Sequence, residues 1–464
     1  MAVRFLDKEQ LGLWNVVAQV VGYLVWLDLG VSTMTGRILA EPIQHGNQED
    51  IDRTWSSILV ILGIQAVGIV TLGIAGTSSF IGFFDVPPNL RSDAIFLFMG
   101  MVLNTAIGLP LRAAPGIFLC QDRLYLSMLI QGVMPWVNLL AFWLMLVAGH
   151  GIRSFVISSA VVTVSQFLCQ RWLLQSDGHR LTFRPQLVSV NSVRPILGFS
   201  SAMMLWSVAP AAIASIPAVV IGRQIGLENV SIYNVTSRVP AMMASIGMRT
   251  FHSFYPRIQR HFVSGDQVRF TSLFRLATWL AVWITGILLT VSVAMNSTVV
   301  NVLARADFYG GNLLSILMAT GLLMVSIGDQ LGSLFYCAGK ARMVSPVLAL
   351  EVVATFAAAA FLCHRHGLPG VAVAVAFMPA LIRIPYFAWC GPAACNSAFR
   401  TLYGPATTGI AALLLSAWGA CYAFGVLTTR LGVVIGVSMI FMGSICTVIS
   451  MRQGWHDWIR YHEG

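Results

Sequence analysis

The chain has 464 residues, of which 57% are apolar and only 10% are charged. About a quarter of the residues of a soluble domain are charged, so this composition excludes an ordinary soluble protein. The formal net charge is +10. Most basic residues lie in short segments between long apolar runs, which is typical of membrane proteins rather than of proteins that bind nucleic acid.

The sequence contains no recognisable catalytic or cofactor motif. No Cys-x-x-Cys pair, phosphate-binding loop or Gly-x-Ser-x-Gly turn occurs, and most of the eight cysteines lie inside apolar runs. His364 and His366 are close enough in sequence to bind a metal ion, but a solvated pair in a loop is the simpler interpretation. We therefore predict neither an enzyme nor a metal site nor a cofactor.

Thirteen apolar segments are long enough to cross the bilayer, which takes about 20 helical residues. They predict an all-α polytopic membrane protein. The predicted spans are 11–33, 56–84, 94–116, 125–149, 152–172, 196–222, 229–249, 275–296, 313–337, 342–363, 369–391, 405–425 and 431–450.

The basic residues of the connecting segments predict the orientation. Eighteen of them fall on one side of the predicted membrane and eight on the other. The richer side is cytoplasmic by the positive-inside rule. We expect the C-terminus inside, Met1 outside, the loop near Gly265 inside and the segment near Asp307 outside.

An internal repeat divides the chain. The segment from Leu6 to Val16 resembles Ile225 to Val235, with Glu9 and Glu228 in equivalent places, and two later matches recur in order at nearly the same offset. We predict an N-terminal lobe at 1–172, a basic cytoplasmic linker at 173–195, a similar lobe at 196–391, and two further helices in 392–464. A helix at 196–222 precedes Glu228, so its counterpart is expected upstream of Met1.

The segment from Leu6 to Glu41, with Gly12-Leu-Trp14 and Trp26-Leu-Asp28-Leu-Gly30, resembles the start of Wzx-type polysaccharide flippases. Ala338-Gly339-Lys340 and Gly367-Leu-Pro-Gly370 resemble the second lobe of the same family. This family belongs to the multidrug/oligosaccharidyl-lipid/polysaccharide exporter superfamily. The resemblance implies two six-helix lobes, two extra C-terminal helices, alternating access and a sugar unit on a polyprenyl pyrophosphate as cargo. It also implies the inner cell membrane as location, and polysaccharide assembly proteins as possible partners.

A polar stripe marks the segment 234–252. Asn234, Arg238, Ser245, Arg249 and His252 recur at steps that place them along one face of a helix. Cationic groups in a closed cavity suit a pyrophosphate. The alternative for Arg249 is that its side chain extends to the inner membrane surface. The repeat aligns Asn15 with Asn234 and Gln19 with Arg238, so we expect both lobes to turn a polar stripe toward a common cavity.

Acidic residues inside spans are candidates for binding a coupling ion. Asp329 and Glu351 either take up a proton or act as buried partners of an arginine. Asp28 is a further candidate, with a helix cap or an ion pair to Arg37 as alternatives. We expect Arg383 to extend to the membrane surface.

Two other functions remain open at this point. A drug or cation antiporter of the same superfamily would favour an acidic cavity, whereas the stripe is basic. A membrane sugar polymerase or ligase would favour a long external loop, whereas the long loops 171–195 and 250–274 lie on the basic side. The sequence therefore favours a sugar flippase that contacts the lipid bilayer and its lipid-linked glycan.

Overall fold

The computed structural model describes residues 5–24, 28, 31–45, 47–120, 123–175, 183–188, 208–338, 340 and 343–394. All regular elements in this part of the chain are helical, and seven helical segments are long and apolar enough to cross a membrane. The chain is therefore an all-α polytopic membrane protein, as its composition predicts. The predicted spans 405–425 and 431–450 and the start of 196–222 lie outside the described residues.

The chain divides into two compact units, Met1–Ser231 and Ile232–Gly464. The helices of the first unit are α1 (Lys8–Leu24), α2 (Val31–His45), α3 (Gln48–Phe83), α4 (Arg91–Gly108), α5 (Ala114–Cys120), α6 (Leu124–Val147), α7 (Ser154–Gln175) and α8 (Val208–Gln224). Helix α4 packs against α1, α3 and α7. Glycines allow close crossings here, because a Cβ on Gly73 would lie 2.5 Å from the Val102 side chain.

The second unit contains most of α9 (Leu227–Val263), then α10 (Gln267–Leu303), α11 (Asn312–Cys337), α12 (Ser345–Met378), a π-helix (Pro379–Arg383) and α13 (Ile384–Ala394). Helix α11 packs against α10, α12 and α13. Helix α12 is bent at Gly367, which has a φ of +61°. This bend falls between the predicted spans 342–363 and 369–391.

Local structure repeats between the units at almost the same offset as the sequence. Helices α3 and α10 begin after Asn47 and Asp266, whose side chains accept hydrogen bonds from the first-turn backbone. Gly151 and Gly367 both have positive φ, a conformation that glycine adopts at little cost. The predicted boundaries at 172, 195 and 391 stay predictions.

The first helix of the second repeat is long. In the first repeat the structure describes α1 over Lys8–Leu24 and α2 over Val31–His45. Helix α9 continues for 37 residues in spite of two internal prolines, Pro240 and Pro256. At about 1.5 Å per residue α9 is roughly 55 Å long, well beyond the hydrocarbon thickness. Part of α9 therefore extends past the apolar region.

Candidate functional site: a basic helix face and a buried ion-pair network

Helix α9 is unusually polar for a helix among membrane spans. Its one acidic residue is Glu228 in the first turn, whereas Arg238, Arg249, Arg257 and Arg260 follow along its length. Within the described part of the chain, α9 is not among the segments apolar enough to cross a membrane, although α10 and α11 are. Arginine in contact with hydrocarbon is costly, so such a helix needs a polar environment along one face.

One face of α9 packs against other parts of the second unit, to which most of α9 itself belongs. Asn296 of α10 donates a 2.9 Å hydrogen bond to the Thr236 carbonyl, and the Gly310 N–H donates to the Thr236 hydroxyl at 2.9 Å. Further along, Phe251 packs edge-on against Phe274. These contacts fix the rotation of α9 about its axis and therefore decide which residues remain exposed.

The opposite face carries the stripe that the sequence predicts. Arg238, Ser245, Arg249 and His252 are all exposed, and so are the apolar side chains of Met242 and Ile246 between them. This face is basic and amphiphilic.

Asn234, the first residue of the stripe, is partly buried. Its amide nitrogen finds no hydrogen-bond partner among the described residues. This amide nitrogen is itself buried, so its missing partner is a cost within the helix packing and not an exposed binding group.

The first unit does not repeat this exposed stripe on α1. Asn15 is buried, and the Gln19 amide oxygen accepts a 2.7 Å hydrogen bond from Ser215 of α8. The two residues thus contribute to packing between helices of their own unit. The sequence repeat aligns the positions correctly, but the helix faces differ in exposure.

Asp28 lies just before α2 and is buried. Its carboxylate accepts a 3.2 Å hydrogen bond from the Ser32 N–H, and its carbonyl accepts one of 3.3 Å from Gln65. Arg112 also acts on its charge; the side chain of Arg37, the alternative partner, lies outside the described residues. The hydrogen bond from Ser32 is of the kind that caps a helix, one of the two alternatives, and the coupling role of Asp28 stays a prediction.

Three charged side chains meet inside the second unit. The Arg383 guanidinium donates to the Asp329 carboxylate at 2.5 Å and to the Glu351 carboxylate at 2.7 Å. Arg383 is 2% exposed, Glu351 is fully buried and Asp329 is 23% exposed. We call these three residues the ion-pair network. It joins α11, α12 and the π-helix.

The expectation that Arg383 extends to the membrane surface is wrong. Two carboxylates on neighbouring helices offer the guanidinium directional hydrogen bonds inside the helix bundle, which compensate for its burial. The missed signal is that three successive apolar segments each carry an isolated charge. Such charges inside apolar spans usually pair with one another.

The backbone around the network is adapted to Arg383. A π-helix inserts an extra residue into a helix, and such segments are frequent at functional sites. Here it ends at Arg383 itself. On the facing helix, a Cβ on Gly328 would lie 2.6 Å from the Arg383 Cδ atom, so the glycine leaves room for the side chain.

The network contains more acceptors than its guanidinium satisfies. The second oxygen of Glu351 is buried without a hydrogen-bond partner among the described residues, and so is the hydroxyl of Thr355, one turn further along α12. Two carboxylates and one arginine also leave an excess negative charge when both acids are ionised. Buried charge of this kind is costly unless a cation or a proton compensates it.

The basic face and the network are close to each other. Tyr255 of α9 and Cys337 of α11 share a side-chain hydrogen bond. One turn earlier, His252 is near enough to Asp329 for their charges to attract. Thus His252, which belongs to the stripe on α9, also lies near the network. No group of three His, Cys, Asp or Glu side chains suited to a metal ion occurs in the described part of the chain.

A separate cavity of about 360 Å³ lies in the first unit, at the start of α1 and α9. Its lining includes Glu9, Asp85 and Arg223, and Asp85 is paired with Arg223. Lys8 and Glu228 form a second ion pair there, at 2.9 Å. The stripe residues of α9 are not part of this lining.

No protein-family model matches the sequence, and no curated protein matches it. Solved structures do match. A multidrug resistance MATE family transporter of the MOP superfamily, in an inward-facing conformation, is 16% identical, with 85% of this chain and 92% of that chain covered at a TM-score of 0.68. The lipid II flippase MurJ is 12% identical, with 96% and 97% covered and a TM-score of 0.68.

A third match is a MOP superfamily transporter from Pyrococcus furiosus, for which a reverse polarity of the binding pocket is reported. It is 16% identical, with 85% of this chain and 90% of that chain covered at a TM-score of 0.58. Identities this low establish a common fold and not a common cargo. The chain therefore has the fold of these transporter structures, the MATE family transporter and the MurJ flippase among them.

Proposed function

We propose that the protein is a flippase that moves a polyprenyl-pyrophosphate-linked oligosaccharide across the cytoplasmic membrane by alternating access. The observation that carries this proposal is the exposed face of α9, on which Arg238 and Arg249 lie beside Ser245 and His252. A membrane helix can expose two arginines in this way where that face borders water or an anionic ligand.

The chemistry of the face fits such a cargo. A pyrophosphate is anionic, and an arginine binds phosphate oxygens through two parallel N–H groups. Arg238 and Arg249 are eleven residues apart, which is about 16 Å along the helix. The face can therefore hold the pyrophosphate at successive positions while Met242 and Ile246 contact the apolar part of the cargo.

The ion-pair network supplies a binding site for an ion that drives transport. With its excess of carboxylate and its unpaired buried oxygens, it is suited to take up a proton or a small cation. Binding there changes the charge that Arg383 and His252 experience. Because His252 belongs to the basic face, ion binding and cargo binding are coupled through α9. Asp329 and Glu351 are the residues that we assign to this role.

A drug or cation antiporter is the second candidate. It is supported by the similarity to MATE transporters and by the acidic pair Asp329 and Glu351. The absence of any acidic residue in α9 beyond Glu228 argues against it, because a cationic drug would be repelled by that face. The similarity to a lipid II flippase supports the lipid-linked cargo instead.

Export of surface glycan in a strain that lacks its own flippase tests this proposal. We expect Arg238→Ala and Arg249→Ala each to reduce export without reducing the amount of protein in the membrane, and Lys at either position to restore part of it. Arg365→Ala is the matched control, since this exposed arginine stacks on Phe361 outside α9. Normal export by both α9 variants, together with efflux of a cationic dye by the wild type, would favour the antiporter.

A further inference from the structure

The turn between α9 and α10 has a defined conformation. The Ser264 N–H donates to the Arg260 carbonyl at 3.0 Å, and the Asp266 N–H donates to the His261 carbonyl at 3.1 Å. Gly265 adopts a φ of +77°, which ends α9, and the Asp266 carboxylate accepts from the Arg269 N–H to begin α10. The backbone on either side of the turn is therefore fixed.

Those side chains combine positive charge with exposed apolar surface. Arg257, Arg260 and Arg269 are exposed, and Val263 and Val268 are 78% and 49% exposed. We call these five residues the basic turn. The one acidic residue between Arg257 and Arg269 is Asp266, which caps α10 and pairs with Arg269 at 3.4 Å. A surface with arginines beside protruding valines is typical of segments that lie at a membrane interface.

The equivalent turn of the first unit has the opposite charge. It lies before α3, where Asn47 occupies the place of Asp266, and its exposed side chains include Glu49 and Asp50. Arg53 pairs with both of these acids, and the buried Asp52 lies 3.4 Å from Arg184. The positive-inside bias is a sum over all connecting segments and does not require every turn to be basic. The concentration of arginine at the basic turn therefore leaves room for a local role.

We propose that the basic turn binds the anionic headgroups of phospholipids at the membrane surface. Arg257 and Arg260 contact the phosphates, and Val263 and Val268 enter the boundary between headgroups and acyl chains. The length of α9 is compatible with this occupant, since a helix of about 55 Å has turns outside the hydrocarbon and the basic turn lies at one of its ends. Charge complementarity supports it too, because an anionic leaflet attracts each nearby arginine by roughly 1 kcal/mol, about five-fold in local binding. This inference stands whether or not the cargo is a lipid-linked glycan.

The test uses the full chain, with its native cysteines replaced, in vesicles of phosphatidylcholine with a minority of phosphatidylglycerol. A fluorophore on Ser264→Cys reports nearby lipid through quenching by brominated acyl chains, which are placed either on phosphatidylglycerol or on phosphatidylcholine. We expect the ratio of the two quenching efficiencies to show several-fold enrichment of phosphatidylglycerol. Arg257→Gln with Arg260→Gln should lower this enrichment until it approaches the bulk composition.

Two controls make the result specific. A fluorophore on Glu49→Cys, in the equivalent turn of the first unit, should show no enrichment. Arg171→Gln should leave the enrichment at position 264 unchanged. Equal quenching by both lipids at position 264, or enrichment that survives the double substitution, would overturn the proposal. Displacement of the quenching by added polyprenyl phosphate, without any preference for phosphatidylglycerol, would also overturn it and would assign the surface to cargo instead.

Discussion

Gly328 and Arg383 face each other so closely that a larger residue at position 328 would force Arg383 to shift: a Cβ there would lie 2.6 Å from the Arg383 Cδ atom. Glycine at this position of α11 therefore allows an arginine to reach the carboxylate of Asp329 one residue further along the same helix. Gly328 thus leaves the space that the ion-pair network needs.

We expect Gly328→Ala to destabilise the protein by about 1–3 kcal/mol, because the added methyl group displaces the Arg383 side chain. Thermal unfolding in detergent measures this change. Gly63→Ala is the control, since a Cβ there meets nothing within 4 Å and alanine favours helix. Equal midpoints for Gly328→Ala and the wild type would show that Arg383 adjusts without cost.

Removing Arg383 tests the pairing itself. Arg383→Ala leaves Asp329 and Glu351 without their common partner, so we expect a loss of about 3–5 kcal/mol or failure to accumulate in the membrane. Replacing all three charges at once, by Asp329→Asn, Glu351→Gln and Arg383→Met, should recover most of this stability, because no unpaired charge remains. If the triple variant is as unstable as Arg383→Ala, packing rather than charge accounts for the effect.

The same triple variant separates folding from coupling. If the ion-pair network binds the driving ion, its transport should no longer respond to an imposed proton or sodium gradient, although cargo still binds. Asp307→Asn, at an exposed acid beyond α10, should keep the response. A gradient response in the triple variant equal to that of the wild type would remove the network from coupling.

The positive-inside distribution predicts which side of the membrane each turn faces. In a background without native cysteines, an impermeant thiol reagent added to intact cells should label Asp307→Cys and leave Ser264→Cys unlabelled until the membrane is permeabilised. Both positions are exposed in the structure, so access depends on topology alone. The opposite labelling pattern would reverse the orientation and place the basic turn outside.

The fold could be predicted because its signals are long and repeated. Apolar runs of about 20 residues leave few alternatives to membrane helices, and the matched segments around Glu9 and Glu228 indicate the repeat. The exposed stripe of α9 also followed from helical spacing, since 238, 245, 249 and 252 lie on one face of any regular helix.

The ion-pair network could not be predicted to the same degree. The sequence shows that Asp329 and Glu351 need a partner or a proton, but not that Arg383 reaches both. That depends on the π-helix at 379–383 and on the space left by Gly328, and both are tertiary features. Likewise, Asn15 and Gln19 align with the stripe in sequence, but helix packing buries Asn15 and pairs Gln19 with Ser215 of its own unit.

The most direct measurement uses the purified full chain in vesicles that contain a fluorescent short-chain polyprenyl-pyrophosphate sugar. A quencher added outside the vesicles reports how much of this cargo is in the outer leaflet, and therefore whether the protein flips it. We expect the wild type to make both leaflets accessible, and Arg238→Ala with Arg249→Ala to slow this by at least about ten-fold, because each charge-assisted hydrogen bond contributes about 1.5–3 kcal/mol. Arg365→Ala should flip at the wild-type rate. A wild-type chain that leaves the cargo in its original leaflet, or a double variant that flips it at full speed, would contradict the proposal that the basic face of α9 carries an anionic lipid-linked sugar.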